Sequence, residues 1–280
     1  MTMFGRLYKY IADPGIVESV LKGAVKFTPI KELNDPSELS PTMNPTEVRA
    51  SLSRLRRDGY SEQDMIHLRR QGHVLRRLAP RFQAVGVPRT REEATALIRS
   101  PFYDDLPRLE RLLDETAREI SSKVGLFCLS LRYDSLPMWA HYAANAGGLL
   151  LEFHDLDQAF TGDETGVLRQ PVAVQYERGR TGITFEPKSH EALFYSKFAD
   201  WSYEQEVRVV IPLGECRQVS AGGRILFLHD LSINRVGRII LGWNMLPQKS
   251  QRVREIAQAE TGVAIVQARF ERGRVTIDGQ

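Results

Sequence analysis

The sequence predicts a single α+β domain over residues 1–280, with strand-rich parts at both ends and helices between them. Leu7–Ile11 and Val25–Thr28 have the β-rich composition of strands. Residues 44–123 carry apolar side chains at helical intervals, punctuated by prolines, and predict a helical layer inserted into the domain. From Val124 onward short β-rich runs return. Strands grouped apart from helices are typical of the α+β class.

The predicted elements follow from local pattern and punctuation. A short helix at Ile16–Leu21 separates the first two strands, and Asn34-Asp35-Pro36 forms a turn after the second. In the helical layer, Leu106–Ser122 has one apolar stripe. Further helices are predicted at Leu136–Ala144, Ser189–Phe198 and Gln248–Thr261. Further strands are predicted at Gly125–Leu131, Leu149–Phe153, Val172–Tyr176, Glu206–Ile211, Ile225–Leu228, Arg238–Leu241 and Ala264–Ala268.

Composition is that of an ordinary globular protein, with 42% hydrophobic and 26% charged residues. No apolar run approaches the ~20 residues that span a bilayer, and the N-terminus lacks signal-peptide architecture. Cys128 and Cys216 have no metal-ligand spacing and are too few for a disulfide framework. These observations predict a reduced, cytoplasmic protein.

The net charge of +3 hides an arginine-rich segment. Between Arg49 and Arg91, eleven arginines face three acids, a local balance of +8. Such a run is either a solvated helical face or a footprint for nucleic acid, whose phosphates arginine binds bidentately. The nucleic-acid hypothesis rests on Arg54, Arg56, Arg57, Arg69, Arg70, Arg76 and Arg77.

The segment Trp201–Ile211 reads as one strand with acids on a single face. Because strand side chains alternate, Glu204, Glu206 and Arg208 are predicted to point the same way. Two neighbouring carboxylates repel each other unless a cation, a substrate or water compensates them. The pattern fits either an edge strand whose glutamates pair with arginines or a functional carboxylate pair.

Other segments carry weaker signals. Trp139 and Tyr142 share a helix face and fit either the core or a ligand site. Lys9 alternates with two tyrosines and is either solvent-facing or phosphate-binding. The Gly147-Gly148 pair ends a helix and permits close approach of backbone. Glycine-rich phosphate loops, HExxH, paired CxxC and a nucleophile elbow are all missing from the sequence.

Together the landmarks resemble one bacterial and phage group, domain-of-unknown-function family 2971. They recur there in this order: Tyr8-Lys9-Tyr10, Asn34-Asp35-Pro36-x-Glu38, Phe127-Cys128-x-Ser130, Met138-Trp139-Ala140-His141-Tyr142-Ala143, Gly148 with Leu151-Glu152-Phe153, and Trp201-x-Tyr203-Glu204-x-Glu206-x-Arg208. The resemblance covers most of the chain outside the arginine-rich segment. A toxin or antiphage role is implied by this family association alone.

The chain also resembles, more distantly, the ADP-ribosyltransferase superfamily. Its members carry a basic residue on an early strand, Ser or Tyr on a middle strand and Glu on a late one. Lys9, Ser130 and Glu204-Gln205-Glu206 fall in that order. The early basic residue is Lys instead of the usual Arg or His. The resemblance implies a split, mixed or mostly antiparallel sheet core of ADP-ribosyltransferase type, with NAD as substrate.

Under this resemblance the catalytic residues are Glu206, Glu204 and Ser130. Glu206 would stabilise the oxocarbenium-like charge at the ribose, Glu204 would orient or deprotonate the acceptor, and Ser130 would steady the nicotinamide ribose. The residues implied to bind NAD are Lys9, Tyr8, Asn34, Asp35, Trp139, His141, Tyr142, Tyr203 and Arg208.

The sequence therefore predicts an NAD-dependent ADP-ribosyltransferase-like enzyme, with RNA or DNA as a possible acceptor. Two alternatives stay open. One is a non-catalytic nucleic-acid-binding or sensor module. The other is a metal-dependent nuclease that uses Asp35, Glu38, Glu204 and Glu206.

Overall fold

The computed structural model describes residues 4–35, 38–78, 87–162, 168–179, 182–186, 192–231, 235–260 and 262–278. Its strands are β1 Arg6–Ile11, β2 Ala24–Pro29, β3 Val124–Ser130, β4 Leu149–His154, β5 Val172–Ala173, β6 Gln175–Glu177, β7 Ser196–Phe198, β8 Glu206–Pro212, β9 Arg217–Ala221, β10 Arg224–Asp230, β11 Val236–Leu241, β12 Ala264–Glu271 and β13 Arg274–Ile277. Its α-helices are α1 Val17–Leu21, α2 Pro45–Asp58, α3 Glu62–Leu78, α4 Arg91–Ile98, α5 Leu106–Ser121, α6 Leu136–Tyr142, α7 Leu156–Ala159, α8 Ala192–Tyr195 and α9 Pro247–Glu260.

One large mixed sheet organises the fold. Its strand order is β13-β12-β11-β4-β1-β3-β2-β10-β9, with β8 paired to β3 and β5 paired to β8. The β11–β12 pair is parallel and the neighbouring pairs in this sheet are antiparallel. A separate two-stranded parallel sheet joins β6 and β7. The predicted α+β class is confirmed at this level.

The sheet divides along one edge of β3. Ser130, at the end of β3, pairs with Tyr8 of β1, whereas Leu126 pairs with Thr28 of β2. Between these two pairs the Cys128 carbonyl accepts a hydrogen bond from Lys9 Nζ at 2.8 Å instead of from a strand backbone. The other edge of β3 pairs with β8 over its whole length. β1 and β2 therefore diverge beside β3 and leave a gap between them.

The two faces of the sheet bury different cores. One face packs Phe27, Phe127 and Val209 together with apolar residues of α1 and α9. The opposite face packs Leu126 and Val210 against Ile120 of α5, among others. β3 is buried almost throughout, which suits its near-continuous apolar sequence.

The helical segment between β2 and β3 has a core of its own. Leu55 of α2, Met65 of α3 and Ile98 of α4 are fully or nearly buried in one cluster. Asn44 begins α2 by accepting hydrogen bonds from the Thr46 and Glu47 amides. The C-terminal parts of α3 and α5 reach the sheet, where Leu78 and Ile120 join its core. The assignment of 44–123 as an insertion stays a prediction.

Three predicted elements differ from the structure. The strand predicted from Trp201 begins only at Glu206, because Ala199–Glu204 forms a 3-10 helix that ends at Gln205 with a φ of 41°. The predicted strand Val172–Tyr176 is two short strands, β5 and β6, in different sheets. In the predicted helix Ser189–Phe198, helix is confined to Ala192–Tyr195 and a strand follows; Ser189 lies outside the described residues.

The 3-10 helix forms because side chains satisfy its backbone. Ser130 Oγ donates to the Glu204 carbonyl at 2.6 Å, and Ser135 Oγ donates to the Tyr203 carbonyl at 3.2 Å. These carbonyls therefore have partners without a strand ladder. None of the described helices is both long and apolar enough to cross a membrane.

Candidate functional site

A cavity of about 290 Å³ lies where β1 and β2 diverge. Strand residues form its floor, while α6 and the loop after β2 contribute walls. Its polar and titratable lining residues are Tyr8, Lys9, Tyr10, Thr28, Glu32, Asn34, Cys128, Tyr142, Glu38, Lys197, Glu204 and Glu206. Residues predicted from distant parts of the sequence are thus brought together in one place.

Three buried carboxylates and two buried cations form the deepest part of the site. The side chains of Glu38, Glu204 and Glu206 are each 4% exposed. Lys197 and Arg208 lie among them, with side chains 4% and 1% exposed. Buried charges are tolerated when they are paired and hydrogen-bonded, and this cluster meets that condition.

Arg208 fixes Glu206 and Glu38. Its Nε and Nη2 donate to the two Glu206 oxygens at 2.7 and 3.0 Å, and its Nη1 donates to Glu38 Oε2 at 2.9 Å. Nη1 also donates to the Phe194 carbonyl at 3.0 Å. Burial opposes ionisation of Glu206, but Arg208 and then Lys197 outweigh it and lower the carboxyl pKa. Burial raises the pKa of Glu38, since the two cations offset it only in part.

Glu204 is held by a different set of partners. Tyr142 OH donates to Glu204 Oε1 at 2.6 Å, and Lys197 Nζ lies 2.6 Å from Glu204 Oε2. Asn34 Nδ2 in turn donates to Tyr142 OH at 2.7 Å. Glu204 and Glu206 therefore share the cavity wall, although only Glu206 is in a strand. The αL conformation of Gln205 turns the chain between them.

β8 is central in the sheet, because it pairs with both β3 and β5. The edge-strand interpretation of the two acids is therefore wrong. The pairing of Glu206 with Arg208 that accompanied it is present, but it lies in a buried cluster. The alternation of side chains holds for Glu206 and Arg208, whereas Glu204 joins them from the 3-10 helix.

Lys9 lies in the sheet gap, half-buried, and not on a solvent-facing surface. Besides its bond to the Cys128 carbonyl, its Nζ lies 5.5 Å from the centroid of the Phe127 ring. Burial lowers the pKa of Lys9 and raises that of the Cys128 thiol. Lys9 lines the cavity floor and can meet a ligand that enters the gap.

The remaining predicted site residues lie in different environments. Tyr8 lines the cavity, while Ser130 is fully buried behind it and orients the Glu204 backbone. Trp139 is 1% exposed, donates to the Tyr133 carbonyl and packs on Tyr10 and Trp243, so the structure places it in the core.

His141 is exposed, and its ring centroid lies 6.3 Å from that of Tyr203, outside the cavity lining. Asp35 is buried beside a second cavity of about 320 Å³, which shares Leu33 and Glu38 with the first. Pro36 lies outside the described residues.

Several of the arginines proposed for nucleic acid already have acidic partners. Arg54 pairs with Glu186 at 3.0 Å, Arg56 with Asp104 at 2.7 Å and Arg57 with Asp58 at 2.8 Å. Arg69 donates to the Arg89 carbonyl and Arg76 to the Gly72 carbonyl, while Arg70 is exposed. The side chain of Arg77 lies outside the described part. The nucleic-acid role stays a prediction, and these pairs reduce the charge on which it rests.

Lys197 and Tyr176 are site residues that sequence reasoning missed. They are register partners in the β6–β7 pair, and Tyr176 accepts a hydrogen bond from the Glu206 amide at 2.8 Å. Burial raises the pKa of Tyr176 to about 12. An isolated lysine between aromatic residues carries no motif, so no local signal could have identified Lys197.

Within the described ranges, no group of three or more His, Cys, Asp or Glu side chains could hold a metal ion. Lys197 and Arg208 stand among Glu38, Glu204 and Glu206, where the nuclease alternative would place cations.

The family model described as "Protein of unknown function (DUF2971)" matches residues 138–209. This segment begins in α6 and ends in β8, so it includes Tyr142, Lys197 and both glutamates of the cavity wall. The match confirms the resemblance to that family. No curated protein and no solved structure gives a significant match to the chain.

Proposed function

We propose that the protein is an ADP-ribosyltransferase-like enzyme that cleaves the nicotinamide–ribose bond of NAD. The observation that carries the proposal is the row Tyr8–Ser130–Glu206, whose members are register partners across the adjacent strands β1, β3 and β8. Lys9 follows Tyr8 on β1, so the early basic residue and the late glutamate line one cavity, and the middle serine is buried between them in the row. This arrangement supports the sheet type that the ADP-ribosyltransferase resemblance implies.

The size of the cavity suits one end of the dinucleotide. Small-molecule sites have volumes of roughly 300–1,000 Å³. At about 290 Å³ the cavity is at the lower limit and would take the nicotinamide ribose, with the rest of NAD extending outside. Lys9, which lies in the gap, would contact the first phosphate or the ribose.

Glu206 is suited to stabilise a cationic transition state. Its lowered pKa keeps the carboxylate charged at neutral pH, and Arg208 prevents it from turning away. As the glycosidic bond breaks, nicotinamide leaves with the bonding electron pair and the ribose C1′ becomes positive. A pre-oriented carboxylate lowers the energy of that state.

Glu204 would serve the acceptor. An acceptor nucleophile attacks C1′ and loses its proton to Glu204, while Tyr142 and Lys197 hold the carboxylate in place. With water as acceptor the same steps give ADP-ribose and nicotinamide. Ser130 acts on the site through the Glu204 backbone and does not itself reach the cavity.

The test is NAD binding by calorimetry and nicotinamide release by chromatography, in wild type and Glu206→Gln. Loss of a group that stabilises transition-state charge costs about 10²–10³-fold in rate. We expect Glu206→Gln to bind NAD and to release nicotinamide slower by that factor.

Glu152→Gln is the matched control, because Glu152 is 1% exposed and bonded to Arg238 but does not line the cavity. Its rate should stay near wild type. Absence of NAD binding and of nicotinamide release in wild type, or equal rates in wild type and Glu206→Gln, would overturn the proposal.

A further inference from the structure

The single side chain of Lys197 reaches all three buried glutamates. Its Nζ lies 2.6 Å from Glu204 Oε2, 3.4 Å from Glu206 Oε2 and 3.7 Å from Glu38 Oε1. The Trp201 ring lies on another side, 4.7 Å from Nζ to the centroid. An ammonium group has three donor hydrogens, and here three carboxylates surround it.

The two buried cations contact different sets of carboxylates. Arg208 forms hydrogen bonds with Glu206 and Glu38 but has none to Glu204. Lys197 is the cation that contacts both Glu204 and Glu206. Two carboxylates in one buried site cannot both stay ionised without such compensation, because each raises the proton affinity of the other.

The position of Lys197 is set by the small β6–β7 sheet. Lys197 pairs in register with Tyr176, whose hydroxyl oxygen accepts from the Glu206 amide. Tyr176 of β6 therefore contacts the Glu206 backbone, and Lys197 of β7 contacts the Glu206 side chain. Lys197 is therefore held against the acids, with Nζ donating hydrogen bonds to Glu204 and Glu206.

We infer that Lys197 is a positioning residue that holds the Glu204 and Glu206 carboxyl groups together on the cavity wall. The inference rests on the proposed function only for its effect on catalysis. The protonation of the two acids is a property of the folded protein and can be measured without NAD.

The experiment follows the glutamate carboxyl carbons by ¹³C NMR during a pH titration of wild type, Lys197→Met and Lys197→Arg. An opposite charge within 4–6 Å lowers a carboxyl pKa by about 1–3. In Lys197→Met we therefore expect the Glu206 carboxyl to titrate about 1–3 pH units higher than in wild type. Lys197→Arg restores a cation and should return the titration toward wild type.

Lys22→Met is the control, because exposed Lys22 also bridges two glutamates, Glu18 at 2.7 Å and Glu260 at 3.3 Å. Lys22→Met should leave the titration of the buried Glu206 carboxyl unchanged. Superimposable curves for wild type and Lys197→Met would overturn the inference.

A second comparison covers the case in which Lys197→Met does not fold. In the double variant Glu204→Gln with Lys197→Met, the like charge beside Glu206 is removed together with the cation, so the Glu206 titration should stay close to that of wild type. A rise in this double variant as large as the about 1–3 pH units expected for Lys197→Met would mean that Lys197 does not act by reconciling the two charges.

The rate of nicotinamide release provides a separate test. If wild type releases nicotinamide, the acid limb of its pH–rate profile should move up in Lys197→Met and return in Lys197→Arg. An unmoved limb would overturn the inference and leave the proposed function standing. No release by wild type would remove the proposed function, while the NMR titration would still decide the role of Lys197.

Discussion

Replacing Arg208 by methionine should destabilise the protein severely. The guanidinium is fully buried and forms hydrogen bonds with Glu206, Glu38 and the Phe194 carbonyl. Without it, the remaining salt bridges of Glu206 and Glu38 among the described residues are those to Lys197, at 3.4 and 3.7 Å. Removing one partner of a buried ion pair costs about 3–5 kcal/mol, because the remaining charge is left uncompensated. That is a large share of the 5–15 kcal/mol by which native proteins are typically stable.

The measurement is the free energy of unfolding from urea titration at neutral pH. Arg208→Lys keeps the charge but cannot form the two-pronged contact with Glu206, so it should lose less than Arg208→Met. The double change Arg208→Met with Glu206→Leu removes both charges of the closest pair and should cost less than the two single changes added together.

Arg269→Met provides the control, because Arg269 makes a comparable two-pronged contact with Asp278 on the surface, its side chain 56% exposed. We expect no measurable change there. A loss below about 1 kcal/mol in Arg208→Met, or full additivity in the double variant, would refute the argument that a buried charge network holds the site.

Three further predictions follow from neighbouring contacts. Tyr142→Phe removes the 2.6 Å hydrogen bond to Glu204, and we expect slower nicotinamide release by about tenfold with a melting temperature close to wild type. The folded-state pKa of Glu206 is lowered, so ionisation of this carboxyl stabilises the fold at pH values above its unfolded pKa of about 4.3. This stabilisation is lost as the pH falls below that value. Glu206→Gln lacks the ionisable group, so its free energy of unfolding, measured by urea titration, should decrease less steeply in acid. Gly125→Ala would place a Cβ 2.6 Å from Leu213 Cδ2 and 2.9 Å from Phe27 Cβ, and this overpacking should cost about 1–3 kcal/mol in urea unfolding; a neutral outcome would show that the Leu213 side chain can move aside.

The sequence pattern predicted the elements in which successive residues have the same, or a regularly alternating, degree of burial. β3 and β4 are buried on both faces, so their sequences are apolar runs with one obvious interpretation. Close backbone approach at Gly148 was also predictable and is confirmed, since a Cβ there would overlap the Ile11 carbonyl oxygen. Pattern failed at Trp201–Glu204, where β-rich composition suggested a strand. Serine hydroxyls from β3 and from the start of α6 capture the backbone there, and that is tertiary information.

In the candidate site, too, local pattern predicted some residues, whereas tertiary contacts determined the others. Glu206 and Arg208 were predictable as a same-face pair because they lie in one strand. Their partner Lys197 was not, because a parallel pair of three-residue strands brings it into place. Trp139 could be core or ligand surface by spacing alone, and only its contacts with Tyr10 and Trp243 distinguish the two.

The energetics of the cluster bear on whether it has a function. Three carboxylates and two cations lie buried in the same small volume, and removing them from water costs nearly as much as their mutual attraction returns. Apolar side chains of similar size would stabilise the same place at least as well, so stability alone does not account for the charges. What the charges add is a pair of carboxyl groups held in place by hydrogen bonds on the wall of a cavity that opens at a break in the sheet. Perturbed and compensated acids in such a position are characteristic of sites that act on a ligand, and the pairing with Arg208 is therefore an argument for chemistry at Glu206.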